Sequence, residues 1–183
     1  MLNFKPINIE SDDIIIHPLR TIDMLRIGSI ENDIFEILSN DENIEFIPRR
    51  RIKDLEDASN KVFGIILGYQ KNLSYTHFIT NKITNKVIGI IDIISPDYAK
   101  KMYSLNKYDW IIEYVLHKDY WGQGIMTGII AAICQRLRDQ GINTIAAVCD
   151  KNNISSIRLL EKIGFQKMKP FDINQDYYEL KLN

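Results

Sequence analysis

The sequence predicts an α/β fold on a mixed, twisted central sheet with flanking helices, and three observations carry that expectation. A β-branched and aromatic run at 110–116 (WIIEYVL) has the composition of a buried strand. It leads through a glycine turn into a stretch whose Ile125, Ile129, Ile130, Ile133 and Leu137 recur at helical spacing. That stretch stops at Gly141 and gives way to a second apolar run, 142–149. Strand, helix and strand in this order make a βαβ unit, expected to be parallel and right-handed.

The remaining elements follow in chain order. Residues 13–17 (DIIIH) form an opening strand. Across 21–38, Ile22, Ile27, Ile30, Ile34 and Leu38 fall on one helical stripe, and Ser39-Asn40-Asp41 is turn chemistry. A second helix is expected at 55–67. Residues 75–80 and 86–94 alternate as two antiparallel strands joined through 81–85. The segment 95–109, with Pro96 and three tyrosines, reads as a long loop, either a lid or acceptor-binding element or a variable surface loop. Past the second βαβ strand, Asp or Asn around 150–153 can cap a short helix that ends at Gly164.

Composition bounds the function. With 183 residues, 45% hydrophobic and 26% charged, the chain has the size of one domain, 1–183, that buries roughly 70% of its unfolded surface. A net charge of −1 and a pI near 6.3 give no footprint for nucleic acid. The one basic cluster, Arg49-Arg50-Arg51 with Lys53, is a solvated face or turn, or else a contact for an acidic partner or a cofactor phosphate. Cys134 and Cys149 lie apart and read as free core thiols of a reducing cytoplasm. No apolar run approaches the roughly 18 residues that span a bilayer, so a cytoplasmic protein without a membrane partner is expected. His17, His77 and His117 lack ligand spacing, so no metal is expected. A homodimer is left open.

The chemistry is concentrated at Trp121-Gly122-Gln123-Gly124-Ile125-Met126-Thr127. A strand that passes through glycines into a helix presents the first backbone N–H groups of that helix, with the positive end of its dipole behind them, and such an end holds a pyrophosphate. An ordinary strand-to-helix turn is the plain alternative. The dinucleotide pattern G-x-G-x-x-G fails, because Thr127 stands where the third glycine belongs and Gly128 comes one place late. The Walker Gly-Lys-Ser/Thr is absent.

The order of these motifs, Tyr120-Trp121-Gly122-Gln123-Gly124, then Asn153-Ile154-Ser155-Ser156, then Leu160-Glu161-Lys162-Ile163-Gly164-Phe165, resembles the GNAT superfamily of acetyl-CoA-dependent N-acetyltransferases. Within it, the chain looks like the branch that acetylates ribosomal-protein N-termini at alanine or serine. The match is close over 110–168 and topological before that. It implies a sheet opened between the parallel strands 110–116 and 143–149, with acetyl-CoA wedged into the opening as cosubstrate. It also implies that the backbone of Tyr114, Val115 and Leu116 lines the pantetheine arm. Asn153 would hydrogen-bond that arm, and Ser156 would meet the sulfur; helix capping is the alternative role for both. Two departures stand out. Trp121 replaces the Gln or Arg usual in the superfamily, although Trp is usual in the resembled branch, and Met126 replaces Gly or Ala, so its side chain must point away from the phosphates. Where many members carry an acidic Tyr, this chain has Leu160, which leaves the acid role to Ser156.

Amide formation needs a base to remove a proton from the attacking amine. Glu113 is the candidate, a carboxylate within an apolar strand where desolvation would raise its pKa; a structural carboxylate facing solvent is the alternative. The expected activity is acetyl transfer to a small-molecule amine or a protein N-terminus by direct attack in a ternary complex. The other reading is a non-catalytic acyl-CoA-binding or sensor domain that keeps the turn and lacks a working base.

Overall fold

Eight strands run in the order β1-β2-β3-β4-β5-β6-β8-β7 through one mixed sheet in a computed structural model that describes residues 4–105 and 109–182. They are Ile9–Glu10 (β1), Ile14–His17 (β2), Ser74–Asn81 (β3), Val87–Ile94 (β4), Trp110–Leu116 (β5), Thr144–Asp150 (β6), Gln166–Pro170 (β7) and Gln175–Lys181 (β8). The helices are Ile27–Ser39 (α1), Asp41–Ile44 (α2), Leu55–Gln70 (α3), Pro96–Tyr103 (α4), Ile125–Asp139 (α5) and Ile154–Ile163 (α6). Among the described residues no helix is long and apolar enough to cross a membrane.

The chain divides into two compact units. One comprises Pro6–Asp92 with Tyr114–Trp121. Its core joins Ile30, Ile34, Ile37 and Leu38 of α1 to Val62 and Ile65 of α3 and to Phe78 and Ile90 of the sheet. The spacing of the α1 residues puts them on one stripe, as the sequence predicts. That helix begins later than expected, because Thr21–Arg26 winds as a 3-10 segment. Buried Asp23 accepts from the Arg20 N–H at 2.9 Å and binds the guanidinium groups of Arg20 and Arg26, which tightens the chain there. Strand β4 is buried along its whole length, so its run of isoleucines is that of an interior strand rather than a half-exposed one. β1, a two-residue strand, precedes the expected opening strand and pairs with it antiparallel. The helix expected at 55–67 runs on to Gln70, capped by Asp54, whose carboxylate accepts from the Asp57 N–H at 2.9 Å.

The other unit takes in Ile93–Glu113 and the chain from Gly122 onward. Its core groups Ile94, Ala99, Tyr103, Leu105, Ile111, Ala146 and Tyr177. β5 and β6 are parallel, as the βαβ reading requires, but their pairing covers only Trp110↔Ile145 and Ile111↔Ala146. β6, by contrast, pairs antiparallel with β8 along its full length, from Thr144↔Lys181 to Asp150↔Gln175. It starts two residues later than the expected 142–149.

The expected loop at 95–109 is corrected. Most of it is helix α4, with Pro96 at its first turn, where a missing N–H costs nothing, and with Ala99 and Tyr103 buried one turn apart. It stops at Ser104 in the left-handed region, φ 51°. Residues 106–108 of that expected loop lie outside the described residues. β7 and β8, which close the sheet, are additions to the sequence reading.

Candidate active site

The glycine turn is built for its conformation. Gly122 and Gly124 sit at φ +73° and +74°, a region that costs an L side chain about 1–2 kcal/mol. A Cβ at either position would meet nothing within 4 Å, so backbone shape and not crowding requires glycine. Gly124 is the N-cap of α5, and the Gly128 N–H closes the first turn on the Gly124 carbonyl at 3.1 Å. The N–H groups of Ile125, Met126 and Thr127 therefore belong to the helix's first turn, which has no intrahelical acceptors for them. No acidic residue occupies that turn, whereas Arg136 and Arg138 lie in the last one, so the fixed charges leave the positive end of the helix uncompensated for an anion. Met126 is buried, in keeping with a side chain that points into the core, while Gln123 is exposed.

In the other unit, Tyr114, Val115 and Leu116 form the end of β5, with Tyr114 half-buried and the other two buried. The Trp121 indole donates to the Leu116 carbonyl at 2.8 Å, while its ring stays half exposed.

Asn153 and Ser156 meet at the start of α6, where the side-chain amide oxygen Oδ1 of Asn153 accepts from the Ser156 N–H at 3.1 Å. The capping role is thus realised for Asn153. The Ser156 hydroxyl is hydrogen-bonded to the Cys149 thiol, a bond that only partly offsets the upward push of burial on that thiol. Leu160 is buried in the core.

Glu113 is half-buried on β5 and accepts a hydrogen bond from the phenol of Tyr103. Tyr103 is not legible from local composition, because Pro96 and three tyrosines give its segment the character of a loop. The signal was present: Pro96 followed by apolar residues at 99 and 103 is a helix start with one buried stripe.

The arginine cluster separates. Arg49, Arg51 and Lys53 are exposed, and Arg51 pairs with Asp41. Arg50 turns inward instead, its guanidinium 2.6 Å from Asp92, with both side chains under 10% exposed. Asp92 also accepts from the Thr76 hydroxyl and lies 4.0 Å from the Lys61 ammonium. Burial pushes the Asp92 carboxyl up, but the charges of Lys61 and Arg50 and the hydrogen bonds from Thr76 and Arg50 outweigh it and bring it to about 2. Cys134 and Cys149 are free and buried, and burial pushes the Cys134 thiol to about 12. Among the described residues, no three His, Cys, Asp or Glu side chains are grouped to hold a metal ion.

Residues 25–166 match the acetyltransferase (GNAT) domain family. The chain is 27% identical over 135 residues to an uncharacterized N-acetyltransferase, YoaA, of Bacillus subtilis strain 168, covering 73% of this chain and 72% of that protein. Its fold is similar to that of the ribosomal-protein-S5-alanine acetyltransferase of Vibrio fischeri, with a TM-score of 0.66 and 14% identity over 97% of each chain. It is also similar in fold to the microcin C7 self-immunity acetyltransferase MccE, solved with acetyl-CoA and AMP, with a TM-score of 0.69 and 20% identity over 93% of each chain. The match over 25–166 takes in the glycine turn, Glu113, Asn153 and Ser156, and by it the chain belongs to the GNAT family as an acetyl-CoA-dependent acetyltransferase.

Proposed function

We propose that the whole chain acts as a single acetyltransferase domain, which moves acetyl from acetyl-CoA to a primary amine by direct attack in a ternary complex. The observation that carries this reading is the left-handed pair Gly122 and Gly124 opening α5, a helix end with no acidic residue to compete with a pyrophosphate. In this reading the pyrophosphate is held by the backbone of Trp121, Gly122, Gln123, Gly124, Ile125, Met126 and Thr127. The pantetheine arm is held by Tyr114, Val115, Leu116 and Asn153.

Glu113 takes the proton from the amine, directly or through a water, as the nitrogen lone pair forms the C–N bond. Backbone N–H groups at Tyr114 to Leu116 stabilise the charge that develops on the carbonyl oxygen. The C–S bond then breaks, and the Ser156 hydroxyl donates to the leaving thiolate. A protein N-terminus is the preferred acceptor class. The support is the fold likeness to the Vibrio fischeri protein, whose name specifies an alanine of a ribosomal protein, together with the Trp-Gly-x-Gly turn.

Thiol release from acetyl-CoA, measured across peptides with free N-terminal alanine or serine, polyamines and aminoglycosides, tests both parts. Turnover with a peptide and a loss of roughly 10²-fold or more in Glu113→Gln at neutral pH support the reading. Wild-type rates in Glu113→Gln move the base elsewhere.

A further inference from the structure

We propose that Tyr103 is a positioning residue for Glu113, an inference that rests on Glu113 serving as the base. The phenol of Tyr103, the last residue of α4, donates to Oε1 of Glu113 in the middle of β5. The ring cannot wander. It is 6% exposed, belongs to the core with Leu105, Ile111 and Ala146, and meets Phe171 edge to face at 5.8 Å and 75°. A donor held by its packing fixes the rotation of the carboxylate it binds, and an O–H to an ionised carboxylate is among the stronger hydrogen bonds. General base catalysis is sensitive to that rotation, because a base displaced by about 1 Å can lose on the order of 10²-fold.

α4 therefore does more than fill the segment between β4 and β5: it delivers the group that aims the base. The same core supplies a comparison. The Tyr177 phenol donates to the Asp109 carboxylate at 2.5 Å, a second tyrosine–carboxylate pair to which the proposed chemistry gives no role.

The test is a double-mutant cycle on the full chain. The assay is thiol release from acetyl-CoA with whichever of three acceptors wild type uses fastest: a peptide with free N-terminal alanine, one with N-terminal serine, or spermidine. Tyr103→Phe keeps the ring and its packing. It should lower kcat about 10-fold, less than the order of 10²-fold expected for a full ångström of misplacement, and leave acetyl-CoA affinity within about 2-fold. In the Glu113→Gln background the same change should have no further effect, because Tyr103 acts only through Glu113. Tyr177→Phe should leave kcat at the wild-type value.

A Tyr103→Phe loss that multiplies the Glu113→Gln loss in full, or an unchanged kcat in Tyr103→Phe when Glu113→Gln is slow, overturns the positioning role and spares the base. Wild-type turnover in Glu113→Gln overturns the base assignment and this inference with it. A readout independent of the acceptor is the carboxyl 13C resonance that disappears in Glu113→Gln. It should move in Tyr103→Phe and stay in place in Tyr177→Phe, and a resonance indifferent to Tyr103 overturns the inference.

Discussion

Replacing Arg50 with methionine keeps an unbranched chain in the same space and removes the charge that faces Asp92. The Arg50 guanidinium stands 2.6 Å from that carboxylate, and the two side chains are 7% and 8% exposed, so the pair is a buried one. Removing one partner of a buried pair leaves an uncompensated charge, at a cost of about 3–5 kcal/mol. The hydrogen bond from Thr76 remains, and so does Lys61 at 4.0 Å, which is 32% exposed and a weaker partner, so the lower half of that range is expected. In a chain of 183 residues each kcal/mol moves Tm by about 2–4 °C, which gives a fall of about 6–16 °C. Differential scanning calorimetry at pH 7 reads it. Arg50→Met combined with Asp92→Asn should recover at least half of the loss, because the orphaned charge is gone. Calorimetric titration of the folded single variant should give wild-type acetyl-CoA affinity. A Tm within about 2 °C of wild type, together with affinity weakened tenfold, would refute the structural role and return Arg50 to a phosphate contact.

Burial holds the His77 imidazole at about 4 against the ordinary 6.5, so the unfolded chain binds a proton that the folded chain refuses. Its effect on stability is nil above about pH 6.5 and grows to about 3 kcal/mol of destabilisation as pH falls to 4. Urea melts at pH 7.5, 6 and 5 should follow that slope, and His77→Gln should flatten it. Gly124→Ala should cost about 1–2 kcal/mol through its left-handed φ alone, and Gly124→Val should fold yet bind acetyl-CoA at least tenfold more weakly by calorimetry; unchanged affinity would put the phosphate site elsewhere. Asn153→Ala should lose about 1 kcal/mol of cap energy that Asn153→Ser retains. If Asn153→Ser also binds acetyl-CoA as wild type does, the residue is a cap only. Ser156→Ala should reduce kcat more than cofactor affinity, and equal turnover would leave it as part of the α6 start.

The parts of this chain that the sequence made legible are those governed by local rules. The glycines of the turn, the stripe of α5, the Asn153 and Gly164 caps and the parallel β5–β6 pair each follow from periodicity or from a residue with one conformational specialty. The illegible parts depend on partners distant in sequence. Arg50 reads as one of three surface arginines until Asp92, 42 residues later, is seen beside it. The 3-10 winding at 21–26 obeys Asp23 and its arginines, which helical periodicity ignores. α4 is short, and tyrosines beside a proline look like a loop until Ala99 and Tyr103 are found in a core with Ile111 and Ala146. β7 carries no apolar alternation at all, since every residue in it is exposed. The Glu113 partner was hidden for the same reason as α4, which contributes it.

β8 lies between β6 and β7, although both are synthesised before it. Its contacts with β6 join residues from 25 to 37 positions apart, Asp150 with Gln175 and Thr144 with Lys181. A growing chain that has emerged only as far as β7 therefore carries two open strand edges at once. That of β7 is blunted by Lys167, Lys169 and Pro170, which discourage pairing with another chain. β6, with the sequence TIAAVCD, has no such guard, and in the finished fold most of it is buried. The interval between the emergence of β6 and the arrival of β8 is thus one in which an unguarded strand edge is open to another chain during translation. Slowing synthesis across residues 150–181 should therefore lengthen the time for which the β6 edge stays uncovered.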